Sequence, residues 1–271
     1  MKKVLAIRLV AMDLDDTLLR DDWTISPRVL KAIQKAKEQG VKMTIATGRM
    51  SISARPYAEQ LGLDVPVITY HGAMIQQALS GEILFRRVIP SALATEIVRY
   101  VSGQGIYVQV YLKDRVISEV LNEWSEEYER IASVRIEKAD LAALLAQEPE
   151  GVEKILLMAK ESDLDQVAPV LRKLYGEKVH LTKSKPCFLE MTDCSVNKGV
   201  ALAALAERLG IAQKDVMAIG DSFNDLEMIK YAGVGVAMGN ARAEIKEHAN
   251  IITASNEEDG VAEAIERYVL D

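Results

Sequence analysis

Cysteine is almost missing from this chain of 271 residues: Cys187 and Cys194 are the only two, enough for one bridge at most. A disulfide framework is therefore excluded, and both are expected as reduced thiols of a cytoplasmic protein. Long apolar runs are missing as well. None approaches the roughly 20 residues that cross a bilayer as a helix, so no membrane span is expected. The opening MKKVLAIRLVAMD sets two lysines before hydrophobic residues, yet Arg8 interrupts it, Asp13 ends it and no small-residue cleavage site follows. It is not expected to act as a secretory leader. A basic excess is lacking too: 33 Lys and Arg stand against 40 Asp and Glu, a net charge of −7, with no basic stripe. Nucleic acid is then not an expected partner, because its binding runs on cations that neutralise phosphates. Small phosphorylated ligands remain open, since they answer to local charge. His71, His180 and His248 are scattered without metal-ligand spacing. Gly233, Gly235 and Gly239 do not have the G-x-G-x-x-G spacing of a dinucleotide site. There is no internal repeat and no low-complexity tract.

What is present is an apolar share of 49% with 27% charged residues, enough for a full core in one large or two smaller domains. The first third alternates. Leu9 to Met12 reads as a buried strand, and Pro27 to Gln39 as a helix with Ser26 as N-cap, Pro27 at its first position and Gly40 beyond its end. Val41 to Ala46 reads as a second strand, Ser51 to Leu61 as a second helix and Val65 to Thr69 as a third strand. That order predicts a parallel sheet with right-handed crossovers. Near residue 83 the style changes. Strands are expected at Ile83–Ile89, Tyr107–Leu112, Val116–Leu121 and Lys154–Ala159, with a turn at Lys113-Asp114 and helices at Ser91–Ser102, Asp140–Leu145 and Ser162–Tyr175. This middle section reads as α+β with a mostly antiparallel sheet. From about Glu190 the first style returns, with helices over Lys198–Leu209, Asp225–Ala232, Ala241–His248 and Gly260–Tyr268 and strands at Val216–Ile219 and Val234–Ala237. The simplest account is a doubly wound α/β domain interrupted by an inserted second domain.

Four elements carry chemistry. The first is Asp13-Leu14-Asp15-Asp16-Thr17, at the end of the first strand. Carboxylates this close repel one another, so a fold that gathers them usually supplies a cation, and the carboxyl end of a parallel strand is where open α/β sheets place ligands. The plainer alternative is an acidic turn ending a strand in water. The second is Thr47-Gly48-Arg49, a hydroxyl and a small residue at a strand-to-helix turn that suit an anion, although Thr before Gly is also a routine helix cap. The third is Lys198, which opens a helix and would matter as fixed positive charge beside a phosphate. The fourth is Gly220-Asp221-Ser222-Phe223-Asn224-Asp225, which in isolation reads as a turn and a helix cap. All four in this order, at strand ends and helix starts, are much harder to dismiss.

The order DLDDT, TGR, a lone Lys and GDSFND resembles the haloacid dehalogenase superfamily of phosphohydrolases. The run from Ala218 to Gly260 resembles its Cof-type subfamily, whose members carry a large α+β (type IIB) cap between the second and third motifs. The resemblance implies an α/β fold with a Rossmann-like parallel-sheet core over residues 1–84 and 189–271 and an inserted α+β cap over 85–188. It implies a Mg²⁺-dependent phosphatase of small phosphorylated metabolites, such as sugar phosphates or phosphorylated cofactors. By the same resemblance Asp13 is the nucleophile that gives an aspartyl phosphate, and Asp15 the general acid and then base. Thr47 and Lys198 hold the phosphoryl group with the backbone N–H groups of Leu14 and Gly48. Asn224 contacts phosphate, Asp13, Asp221 and the carbonyl of Asp15 bind Mg²⁺, and Asp225 orients Lys198 or a metal-bound water. Elementary physics points the same way, because several carboxylates facing a phosphate dianion need a hard divalent cation.

An acid/base aspartate at position 15 marks phosphatases and mutases in the superfamily; ion pumps have Thr there and dehalogenases lack it. Two departures stand out. His71 occupies a place where the subfamily usually has Asn; an imidazole there could face the substrate, and a loop-stabilising role is the expected one. The residues before Lys198 are slightly atypical. Arg49, Tyr107, Tyr111, Lys183 and Lys185 are candidates for substrate choice, and Arg86 and Arg87 are placed in the hinge, where they would only face solvent. The Glu-rich run Glu123–Glu129 reads as a solvated helix face. The expected partner is a small phosphorylated metabolite, with neither nucleic acid nor membrane, in a monomer or weak homodimer. The rivals are a phosphosugar mutase and a non-catalytic phosphometabolite-binding regulator.

Overall fold

The computed structural model describes residues 7–270; residues 1–6, which carry the start of the rejected leader, and residue 271 lie outside the described residues. Five parallel strands form the central sheet, in the order Ile251–Ile252, Val234–Ala237, Val216–Gly220, Leu9–Met12 and Lys42–Ile45. Leu9–Met12 is buried at every position because helices cover both faces of the sheet. Val10 and Met12 pack in one core with Ala32, Ile33 and Ala58, from helices Pro27–Glu38 and Ser51–Gln60, and with Ile265 from helix Gly260–Ile265. Leu9 and Ala11 pack in another with Ala201, Leu202 and Leu205 of helix Lys198–Arg208. Burial on both faces is why these strands read as continuous apolar runs rather than alternating ones. Each fully buried Leu or Ile adds about 1.5–3 kcal/mol. Helix Pro27–Glu38 starts as its sequence predicts, with Ser26 Oγ accepting from the backbone N–H of Val29.

One expectation is corrected. Pro66–Thr69 is not a further strand of the parallel sheet; it pairs antiparallel with Met74–Gln77, which pairs antiparallel with Ile83–Arg86. Its edge meets the central sheet through a parallel bridge between Ala46 and Ile68 and through hydrogen bonds from Thr44 Oγ1 to the carbonyl of Pro66 (2.7 Å) and from the N–H of Thr47 to that of Ile68 (2.9 Å). The reason is local. Tyr70, His71 and Gly72 have φ of 51°, 55° and 100°, so the chain reverses directly after Thr69 and the strand finds its own hairpin partner.

The inserted layer is a six-stranded sheet in the order Val179–Lys185, Phe188–Asp193, Lys154–Met158, Tyr107–Leu112, Arg115–Ser118 and Ile136–Lys138. All pairs are antiparallel except the last, which is parallel. The expected borders fall inside strands: 84/85 divides Ile83–Arg86, and the return at 189 lies within Phe188–Asp193, so the six-stranded sheet runs on to Asp193. The period-2 pleat sorts the side chains. Val108, Val110, Ile155, Leu157, Leu189 and Met191 pack under helices Ser91–Ser102, Leu141–Gln147 and Glu161–Tyr175. Tyr107, Tyr111, Leu156, Met158 and Phe188 point the other way, packing with Met50, Tyr70 and Met74 and with helix Glu123–Ala132. Gln109, Lys154 and Glu190 share that inner face. Among the described residues no helix is long and apolar enough to cross a membrane.

Candidate active site

The central strands deliver the acidic residues to one end of the sheet. Asp13 directly follows Leu9–Met12 and extends the ladder, its N–H donating to the carbonyl of Ile219 at 3.0 Å. Asp15 is extended and Asp16 left-handed (φ 58°), so the chain folds back, and the N–H of Leu19 closes the loop on the carbonyl of Leu14 at 2.9 Å. Asp221 follows Val216–Gly220, the neighbouring strand, and Thr17 Oγ1 donates to its Oδ1 at 3.1 Å. Lys198 is the first residue of its helix, whose start is capped by Asn197. Its ammonium, fully buried, donates to Asp13 Oδ1 at 2.5 Å and to Asp225 Oδ1 at 2.6 Å. Residues 13, 198 and 225, far apart in sequence, are thus joined by hydrogen bonds.

Asp13, Asp221 and Asp225 each offer an oxygen within 4.8 Å of the others. Burial pushes the Asp13 carboxyl up to about 8, the Asp225 charge adds to this, and Lys198 only partly offsets it. Burial and the charges of Asp225 and Asp13 likewise push Asp221 well above its ordinary range. Burial lowers the Lys198 ammonium, but Asp13 and Asp225 outweigh it and the net shift is upward. Asp225 has both oxygens engaged, Oδ1 by Lys198 and Oδ2 by the N–H groups of Asp221 and Ser222 at 3.0 and 3.1 Å. The donor set therefore fits a hard divalent cation between Asp13 and Asp221, where carboxylates outnumber the single ammonium.

Thr47, Gly48 and Arg49 come just after Lys42–Ile45; Gly48 and Arg49 form the opposite wall, and Thr47 is buried behind them. The carbonyls of Thr47 and Arg49 accept from the N–H groups of His71 (3.0 Å) and Tyr70 (2.9 Å), and the N–H of Arg49 donates to Thr47 Oγ1 at 3.1 Å. Glycine at position 48 is needed for close approach, because a Cβ there would lie 2.1 Å from the His71 ring. Arg49 is buried and grips Asp15 with two bonds, Nε to Oδ2 at 2.9 Å and Nη2 to Oδ1 at 2.7 Å, between the rings of Trp23 and Tyr57. Burial would raise the Asp15 carboxyl, but the Arg49 bonds and charge outweigh it and hold it below its usual range. Asn224, buried, lies with its Nδ2 3.4 Å from His71 Nδ1.

The cleft between the two layers encloses about 570 Å³ of space, part of it open solvent. From the core it is lined by Asp13, Asp15, Asp16, Gly48, Arg49, His71, Asp221, Ser222 and Asn224. From the inserted layer come Tyr128, Ile131, Ala132, Lys154, Ser184, Lys185, Phe188 and Glu190. Lys154 and Glu190 are fully desolvated charges, paired at 2.7 Å, and His71 Nε2 stands 2.9 Å from the same Glu190 oxygen. At that contact His71 Nε2 makes no hydrogen bond of acceptable geometry. Burial would raise Glu190, but His71 and Lys154 hold it well below the carboxylate range; burial lowers His71.

Sequence reading missed Lys154, Glu190 and Tyr128. Their signal was present: a charged residue at an inward position of the apolar strands KILLM and FLEMT, and aromatics Trp124 and Tyr128 four residues apart on a Glu-rich helix. That helix is solvated on one face only, since Tyr128 packs inward beside Tyr111. Of the residues expected to choose substrate, Arg49 and Lys185 line the cleft. Tyr107 and Tyr111 are buried in the inserted layer, joined by way of Gln109. Lys183 points away, to Glu161 and Asp165. Arg86 does not simply face solvent; its Nε donates to buried Glu153 at 2.9 Å.

The sequence profile of the haloacid dehalogenase-like hydrolases matches residues 10–265 of the chain. A phosphatase of Bacillus subtilis (strain 168), "5-amino-6-(5-phospho-D-ribitylamino)uracil phosphatase YcsE", is 34% identical over 97% of this chain and 96% of its own. A second from the same organism, named YitU and described by the same activity, is 32% identical over 96% of this chain and 97% of its own. Among solved structures, a haloacid dehalogenase-like hydrolase from Bacteroides thetaiotaomicron superposes with a TM-score of 0.84 at 32% identity, covering 96% of this chain and 99% of that one.

Proposed function

The chain belongs to the haloacid dehalogenase-like hydrolases, as a phosphatase of that family, and on that premise we propose that it is a Mg²⁺-dependent enzyme hydrolysing small phosphorylated metabolites through an aspartyl phosphate. The observation that carries this is Asp13, buried at a central strand end against Lys198 and Asp221, with Asp15 two residues on beside the cleft. Asp13 attacks phosphorus in line; its new O–P bond forms as the bond to the leaving oxygen breaks, and Asp15 gives that oxygen a proton. Asp15 then takes a proton from water, whose oxygen attacks phosphorus, breaks the Asp13–phosphorus bond and releases inorganic phosphate. The Arg49 pair holds Asp15 ionised, so Asp15 takes up its proton once Arg49 turns to the phosphate. Thr47, Lys198 and Asn224, with the N–H groups of Leu14 and Gly48, hold the transferring group. Asp225 holds Lys198 in place between two carboxylates. Asp13, Asp221 and the carbonyl of Asp15 would hold the metal ion, which would neutralise the clustered negative charge and polarise the phosphoryl group.

The inserted layer acts as a cap that excludes water and selects the leaving group. Tyr128 and Phe188 give it an aromatic wall, and Lys154 and Glu190 a polar one. A sugar phosphate or a phosphorylated cofactor fits that mixture, and YcsE and YitU are named for a compound with a phosphorylated ribityl chain and a uracil ring. Free thiols at Cys187 and Cys194 favour the cytoplasm. A panel of phosphate esters, scored with Mg²⁺ by inorganic phosphate released, tests the reading. Turnover of at least one ester without any phosphorylated activator is expected, which also separates the enzyme from a mutase. A purified, folded protein inert on the whole panel would reject it.

A further inference from the structure

The three carbonyls of the phosphate loop are served unequally. Those of Thr47 and Arg49 accept from the backbone of His71 and Tyr70, within the core. The middle one, of Gly48, accepts from the cap: Lys154 Nζ donates to it at 2.7 Å. Lys154 is 2% exposed, and the rest of its charge is met by Glu190 Oε1 at 2.7 Å and by the face of Tyr111, 4.3 Å from the ring centre. Register places these groups together, since Tyr111 pairs with Lys154 and Glu190 sits on the adjoining strand of the same face.

A peptide unit is planar, and its C=O and N–H point in opposite directions, so fixing one end fixes the other. The unit whose oxygen Lys154 holds is Gly48–Arg49, and its N–H is the one that donates to Thr47 Oγ1. With one lone pair engaged there, the Thr47 hydroxyl has its own proton left to donate to a phosphoryl oxygen. We infer that Lys154 is a positioning residue: seated in the closed cap, it fixes the Gly48–Arg49 peptide and thereby aims the Thr47 hydroxyl, so the phosphate grip is complete only when the cap is down. A cap that lifts carries Lys154 with it and leaves the Gly48 carbonyl without that donor. A second cap residue acts on the same segment: Asp114 accepts from the N–H of Ser51 at 3.1 Å and from the Tyr70 hydroxyl at 2.7 Å.

The inference rests on the reading of Thr47 as a phosphate ligand, and its test reads binding apart from turnover. Inorganic phosphate is titrated calorimetrically, with Mg²⁺, into the wild-type chain and into Lys154→Met. A lost hydrogen bond from a charged donor predicts phosphate binding weakened by roughly tenfold to a hundredfold, with kcat/KM on any accepted ester falling in step. In Lys154→Ala, whose short side chain leaves room for it, ethylammonium ion should restore part of both, a recovery that a merely structural lysine would not show. Phosphate affinity within about twofold of wild type in a folded Lys154→Met chain overturns the inference, whatever happens to kcat. If that variant does not fold because Glu190 is left unpaired, Lys154→Met with Glu190→Met removes both charges and carries the same expectation. A wild type that binds phosphate but turns over no ester would refute the phosphatase reading and leave this inference standing.

Discussion

Asp13 is asked to be a nucleophile, yet burial and its neighbours favour its protonated form until a cation joins the site. Removing its charge should therefore cost chemistry and not the fold. Asp13→Asn is expected to lower turnover by about 10³-fold or more while the thermal midpoint stays at or above that of the wild type. Appreciable residual hydrolysis would reject the assignment. His71 makes a pH prediction. Burial keeps its folded pKa below the ordinary value of about 6.5, so the native ring is neutral where the unfolded one binds a proton. Stability is then lost as pH falls through and below that value. Glu190 acts in the same direction further down, since its lowered carboxyl contributes above the ordinary carboxylate range and ceases to as pH drops below it. Urea midpoints between pH 7 and 5 should decline less steeply in His71→Asn than in wild type. Equal slopes would mean that folding leaves the proton affinity of His71 unchanged.

Helix Ser51–Gln60 follows the phosphate loop directly and has no side-chain cap of its own, since Met50 occupies the N-cap position. Its start is served instead by Asp114, from the left-handed turn Lys113-Asp114 that joins two strands of the cap. The cap thus completes an element of the core. Asp114→Ala should destabilise the protein by about 1 kcal/mol through the lost cap, and leave the Tyr70 hydroxyl without that acceptor. A thermal midpoint a few degrees lower would follow, with KM for a phosphate ester raised because the closed arrangement is weakened. An unchanged midpoint would show that the contact contributes nothing measurable.

Taken whole, the molecule is two layers meeting over a cluster of carboxylates that carries more negative than positive charge. A cation that binds the folded site and not the unfolded chain must stabilise the fold by mass action, by about 2.7 kcal/mol at a hundred times its dissociation constant. The thermal midpoint should climb with Mg²⁺ concentration, and chelation should both lower it and abolish phosphate release, reversibly. The same titration on Asp221→Asn should show little rise. A midpoint indifferent to Mg²⁺ in the wild type would remove the basis for placing a metal between Asp13 and Asp221.

The sequence alone determined the alternation of strands and helices in the core, the start of helix Pro27–Glu38, and the four polar segments at strand ends and helix starts. All of these follow from neighbours in the chain: apolar periodicity, capping residues, and an acidic cluster directly after a buried run. It did not show that Pro66–Thr69 leaves the parallel sheet, because that depends on three consecutive left-handed residues, two of them not glycine. A charge inside an apolar strand is visible at Lys154 and Glu190, but the sequence did not reveal their partners, which lie more than a hundred residues away or on a neighbouring strand. Only the tertiary structure decided these, because strand register and layer packing determine which distant side chains share one face, and no local pattern encodes that.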